Sequence, residues 1–398
     1  MRPSSRRAAR RAAEETPSET PGQAPSEAPS ETPGEMPAVD AAPPSSAAAP
    51  LPPTSSEAGP SARRGISHRL GVAIWLTVVI AAAVALVAAI AGTDGPGRVT
   101  STWLADAGAI AASTAYTWGL AARTGGRPLV FSILTLVLGG LVVGLDSDSL
   151  RSGAAVIMAV LTAVFAVMVT VPAVHFLGAV RENVVALVIA AVGSMATVAW
   201  APVVNLDRFQ YTVLGLSLVA SFLTVFRLGA GWHGLGTRGV LTVVAGSLML
   251  ALTLGYAELL RRYGTESLVN QLDDAVRWSH HHLGAFPRPI VALLGVPALT
   301  WGTHMRARRR QGWWVCAFGI ALTGPVAYAL VDPGRTVVEA TLATAYGAVI
   351  GFAIGYLLIR VDLRLTGPRP TGPRGRRLAE TEEATAVRPE PGRTHALG

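Results

Sequence analysis

Lysine is missing from this sequence: all 33 basic residues are arginine. A chain without lysine has neither a Walker-type phosphate-binding lysine nor a Schiff-base amine, so it excludes an ATP-driven pump within the chain. Cysteine occurs once, as Cys316 inside an apolar run, and that excludes an intrachain disulfide. Charged residues make up only 15% of the chain, where a soluble domain has about a quarter. With 51% apolar residues and a mean hydropathy of +0.43, this composition argues against a soluble enzyme. Several catalytic signatures are also missing: HExxH, GxSxG and PSGH do not occur, no metal-ligand spacing is present, and no cofactor is expected. The net charge of +8 would suggest nucleic acid in a soluble protein. Here the arginines sit between long apolar runs, where membrane topology accounts for them, and no nucleic-acid partner is expected.

What is present is a succession of apolar runs between two polar tails. Residues 1–64 are rich in Pro, Ser and Glu, and 17–36 read as a tetrapeptide repeat, PSET PGQA PSEA PSET PGEM. A proline every fourth residue blocks helix, and so few large apolar side chains cannot offset chain entropy, so this tail is expected to be disordered. A span needs ~20 apolar residues. By that ruler the fold class is all-α, a polytopic membrane protein of about ten transmembrane helices. They fall at about 70–91, 102–121, 128–145, 153–178, 184–204, 210–228, 239–258, 289–304, 313–331 and 336–359. The second is rich in Ala, Ser and Thr, and the eighth is short and contains Pro297. Residues 363–398 form a second tail, expected to be disordered, whose juxtamembrane arginines Arg364, Arg369, Arg374, Arg376 and Arg377 attract anionic lipid headgroups.

Arginine content of the short loops sets the orientation. With the N-terminus cytoplasmic, the inner loops hold Arg123, Arg127, Arg181, Arg227, Arg238, Arg306, Arg308, Arg309 and Arg310, against Arg98, Arg151, Arg208 and Arg335 outside. Among acids, only Glu182 falls in an inner loop. Both termini are therefore expected on the cytoplasmic side of a bacterial cytoplasmic membrane. This layout resembles that of several transporter superfamilies, including drug and metabolite permeases, and of some membrane acyltransferases; no motif selects among them. An inverted repeat of two five-span halves would echo Val171-Pro172-Ala173-Val174 in Gly324-Pro325-Val326-Ala327.

Four residues form the candidate polar pocket: Asp106, Glu339, Glu258 and His280. A carboxylate at bilayer depth costs about 2.5–3.5 kcal/mol unless compensated, and these acids all fall near the outer ends of their spans. Asp106, Ser113 and Thr117 share one helix stripe, which should face protein or water. If spans two and ten are neighbours, Asp106 and Glu339 would share one pocket. The competing reading pairs Glu339 with Arg335 at i−4 and leaves Asp106 as a helix-start carboxylate. In the long outer loop, Thr265 or Ser267 to Gly284 reads as an amphipathic helix on the outer membrane surface, with Asp273 and Arg277 at i, i+4. It ends in Ser279-His280-His281-His282. Consecutive helical residues point about 100° apart, so these histidines do not converge on one metal ion. Gly347, Gly351 and Gly355 are spaced for close helix packing, within the chain or across a homo-oligomer seam.

Three functions fit this reading. The first is a secondary transporter or permease-like protein, with its substrate unspecified. The second is a membrane-embedded transferase acting on a lipid-linked or cell-envelope substrate at the extracytoplasmic face. The third is an accessory or scaffold membrane protein.

Overall fold

The computed structural model describes residues 59–90, 102–228, 236–309, 311–366 and 390–397. The expectations for residues 1–58 and 367–389, including the proline repeat and most of the juxtamembrane arginines, lie outside the described residues. Every regular element among the described residues is helical: α1 (Gly59–Ile90), α2 (Thr102–Arg123), α3 (Pro128–Leu145), α4 (Asp148–Met168), α5 (Phe176–Ala199), α6 (Leu206–Arg227), α7 (Gly236–Tyr263), α8 (Glu266–Leu283), a π-helical turn (Val291–Gly295) running into α9 (Val296–Arg306), α10 (Gly312–Ala317), α11 (Ile320–Val331) and α12 (Val337–Thr366). Eight stretches are long and apolar enough to cross a membrane: seven lie in α1, α3, α4, α5, α6, α7 and α12, and the eighth, Gly312–Val331, combines α10 and α11. The chain is thus a multi-pass, all-helical, membrane-type protein. The stretches 102–123 and 291–306 coincide with the expected second and eighth spans but are not among the eight.

Burial separates core from periphery. In α3 and α7 only 11% of the most apolar window is buried, whereas in Gly312–Val331 the share is 78%. The peripheral helices therefore turn leucine and valine outward, as lipid-facing helices do, while α10–α11 are enclosed, α11 by α4, α5 and α6 and α10 by α6, α7 and α9. α2 packs on α1, α3, α4 and α5; α11 packs on α4, α5 and α6; α12 packs on α9 and the π-helical turn.

Three interruptions break the helices of this bundle. α4 stops at Met168, ten residues before the expected end of its span, and residues 169–175 run without helix, so that His175 is the N-cap of α5 rather than the top of α4. Pro172 is the physical cause, because it lacks an N–H and pushes the preceding residue out of the helical region. Pro297 acts in the same way on the eighth span: it cannot donate to the carbonyl one turn earlier, and the chain widens into the π turn just before it. The third break, at Phe318 and Gly319, separates α10 from α11. The echo between 171–174 and 324–327 does not extend to conformation, since Pro172 lies in extended chain and Pro325 inside α11.

The glycine stripe of α12 is an internal seam. A Cβ on Gly347 would lie 3.1 Å from Val291, one on Gly351 2.6 Å from Val296, and one on Gly355 2.9 Å from Thr300. The face that a homo-oligomer would need is filled by the chain's own 291–306 stretch.

Candidate functional site

The sequence candidates do not form a single pocket. Asp106, in the first turns of α2, accepts a hydrogen bond from Arg151 of α4 at 2.8 Å, and Arg151 also reaches Asp146 at 2.9 Å. Glu339 stands 3.9 Å from Arg335, which pairs with Asp332 at 3.0 Å. The two carboxylates belong to helices with different neighbours, α2 in the α1–α5 group and α12 against α9 and the π turn, so the premise of adjacent spans fails. Glu258 is exposed, 3.7 Å from Arg262. His280 is also exposed, while His282 stacks on Trp278 with centroids 4.9 Å apart. Among the described residues no group of three His, Cys, Asp or Glu is placed to hold a metal ion. Arg277 pairs with Asp274, not with Asp273. Asp106, Asp332, Glu339 and Glu258 are each compensated by an arginine within reach of the same end of the protein, as carboxylates near a bilayer require.

Asp106 and its stripe do face protein: Ser113 donates to its own helix and lies 3.2 Å from the Met158 sulfur, and Thr117 accepts from Thr135 of α3. Asp106 therefore has a structural duty. Asp106→Asn should weaken the α2–α4 contact by about 1.5–3 kcal/mol, the worth of a charge-assisted hydrogen bond. A melt in detergent would read this as a fall of several degrees, and an unchanged melting temperature would contradict it.

The dense cluster of buried charge lies at the other end, where α2, α4 and α9 finish and α5 and α10 begin. The helix-end carbonyls that Pro172 frees have no intrahelical partner. Arg123, the last residue of α2, donates through Nε to the Met168 carbonyl at 3.0 Å and through Nη2 to the Thr170 carbonyl at 3.3 Å. Arg306, the last residue of α9, donates through Nη2 to the same Thr170 carbonyl at 3.0 Å and through Nη1 to Thr170 Oγ1 at 2.8 Å. Its guanidinium lies 3.4 Å from the ring centre of Trp313. The Val171 N–H donates to Glu182 Oε2 at 2.9 Å, and Arg181 donates to the other carboxylate oxygen at 3.1 Å. Arg123, Arg306, Thr170 and Glu182 are at most 1% exposed. Two cations at the C-terminus of α4 are also favourably placed for its dipole.

Residues 390–397, at the end of the second polar tail, occupy this cluster. Glu390 pairs with Arg306 at 2.7 Å, and Arg393 pairs with Glu182 at 2.6 Å. Nη1 of Arg123 donates to the carbonyls of Pro391 (3.2 Å), Gly392 (2.8 Å) and His395 (2.9 Å), and the Leu397 N–H returns a bond to the Arg123 carbonyl. Even so, Arg306 Nε, Arg393 Nη1 and Glu390 Oε1 are buried without a hydrogen-bond partner among the described residues.

A further cation stands at the opposite end of the 291–306 stretch. Arg288 donates to the Pro325 carbonyl at 2.8 Å, while its Nε and Nη2 are buried without a partner among the described residues. Burial, and then the nearby Arg335 charge, lower its guanidinium to about 10, against the pull of Tyr328, Asp332 and Glu339. Beside this end, between α1, α5, α11 and α12, lies an apolar cavity of about 440 Å³ whose polar lining groups among the described residues are Thr341 and Thr344.

Sequence reasoning counted Arg123, Arg181 and Arg306 as loop charges that report topology, and it passed over Arg288. The usable signal was Glu182, a lone acid among nine arginines, next to the one span whose apolar run contains Val171-Pro172. Comparison with known proteins finds no match: no family model, no curated protein and no solved structure is similar to this chain.

Proposed function

We propose that the protein is a permease-like secondary transporter for an anionic solute. One observation carries the reading: the interrupted stretch 291–306 is bracketed by two arginines, Arg306 fully buried and Arg288 half-buried, each with enclosed guanidinium donors lacking a partner among the described residues. Eighteen residues separate the two arginines, roughly 27 Å at helical rise, close to the ~30 Å thickness of a hydrocarbon core. Ionisable groups buried in a membrane bundle mark ion and substrate paths, and interrupted helices are where transporters put their sites. In this reading 102–123 and 291–306 also cross, giving ten crossings in a bacterial cytoplasmic membrane. The arginine-rich end and both termini then face the cytoplasm, and α8 lies on the outer surface. A transferase at the extracytoplasmic face finds less support, because Asp106, Glu258, Glu339 and His280 do not converge.

Proteoliposomes carrying the full chain should exchange radiolabelled phosphate or succinate faster than protein-free vesicles. Arg288→Gln should lower that flux by ~10-fold or more, the loss expected when one charge-assisted contact of at least 1.4 kcal/mol is removed. Flux of both anions that is indifferent to Arg288→Gln would count against the proposal.

A further inference from the structure

We propose that residues 390–397 are a removable plug: they fill an oxyanion site built by Arg306 and Arg123, and a ligand bearing a carboxylate or phosphate group takes that site by displacing them. The inference rests on the permease reading and gives the same site its regulation.

The contacts are those of a bound peptide rather than of a core element. Two ion pairs, Glu390–Arg306 and Arg393–Glu182, and three backbone carbonyls on one guanidinium hold the segment, while Leu397 supplies its one large apolar contact. The Glu390 carboxylate already stands where an anionic group of a ligand would go, on the guanidinium of Arg306 that stacks on Trp313 and that Thr170 holds in place by accepting from Nη1.

The pocket also has more capacity for anions than the segment uses. Among the described residues, the buried Arg123 and Arg306 face the buried Glu182, an excess of one positive charge, Arg181 being solvated, and the segment adds one acid and one arginine, which leaves the excess unchanged. Among the described residues Arg306 Nε has no oxygen or nitrogen partner at full burial. Arginine forks suit the planar or tetrahedral oxygens of carboxylates and phosphates.

Removal does not require unfolding. Residues 367–389 lie between α12 and the segment, and 23 residues reach at most ~80 Å when extended. A segment joined covalently to its site competes at a millimolar effective concentration, so a free anion competes in the same range. Once the segment has left, Glu390 and Arg393 are solvated, and the incoming anion takes over the neutralisation of Arg306.

Hydrogen exchange on the full chain, read by mass spectrometry over 390–397, tests the plug. The Leu397 and His395 amides, both hydrogen-bonded, should exchange slowly in sodium chloride. Replacing chloride with ~10 mM inorganic phosphate at equal ionic strength should speed that exchange at least ~10-fold. If phosphate does nothing in detergent but phosphatidylglycerol in nanodiscs does, the displacing oxyanion is a lipid headgroup and the proposal stands in that form. Glu390→Gln, a change in the tail that leaves the bundle intact, should give fast exchange with no added anion. Exchange indifferent to both anions, equal acceleration by chloride, or a Glu390→Gln segment as protected as the parent would each overturn the plug. A phosphate-released segment in a protein with no anion flux would keep the plug and reject the permease; flux with an indifferent segment would do the opposite.

Discussion

Arg123→Met should destabilise the bundle by about 2–4 kcal/mol. The change leaves the Met168 carbonyl without its donor and the Thr170 carbonyl with one donor fewer, at full burial, and each buried polar group left unsatisfied costs roughly 1–3 kcal/mol. Loss of a cation from the C-terminus of α4 adds part of a further kcal/mol, of order 0.3–1. The carbonyls of Pro391, Gly392 and His395 add little, because the segment carrying them can move into water. A melt in detergent should fall by roughly 10 °C. Arg123→Lys should recover less than half of the loss, since one ammonium cannot replace a fork that reaches carbonyls on two sides. A melting temperature within two or three degrees of the parent would mean that water reaches the end of α4, and the buried cluster would then lose its basis.

Gly351→Leu should be as damaging by a different route. A Cβ at this position would already lie 2.6 Å from the Val296 Cβ and 3.2 Å from the Ala292 carbonyl oxygen. Neither neighbour can yield cheaply, because Val296 is fully buried and the carbonyl belongs to the π turn, whose geometry Pro297 sets. The remaining leucine atoms have nowhere to go, so α12 must separate from α9 at a cost of about 3 kcal/mol or more. Val349→Leu is the control. Val349 is 69% exposed on the opposite face, and an extra methylene there meets only lipid. Poor detergent extraction or early melting of Gly351→Leu beside a normal Val349→Leu is the expected result. Equal behaviour of the two would place the glycine face toward lipid.

The all-helical, membrane-type character of the chain was readable from composition and run length because it depends on local quantities: hydropathy summed over ~20 residues and the lack of charge within that window. Gly284 as a helix stop and the close-packing role of the α12 glycines were readable for the same reason, since each follows from the residue's own geometry. The ends of the interrupted helices were less legible. Val171 and Pro172 lie within a continuous apolar run, and hydropathy does not register that a missing N–H ends α4 at Met168.

The buried charge was not legible, because its meaning is relational. Arg123, Glu182, Arg306 and Glu390 are far apart in the sequence, and taken singly each reads as a loop or tail charge. Which arginine meets solvent and which meets a helix-end carbonyl depends on where five helix ends and residues 390–397 converge. The same holds for Asp106 and Glu339. The sequence alone placed both near one face of the membrane, and only helix packing assigned Arg151 to the first and left Arg335 with the second. The sequence by itself determined which segments prefer hydrocarbon, since that is a sum over neighbours along the chain. The tertiary structure alone decided which charges are buried together, since Coulomb energy and hydrogen bonding depend on distances in space.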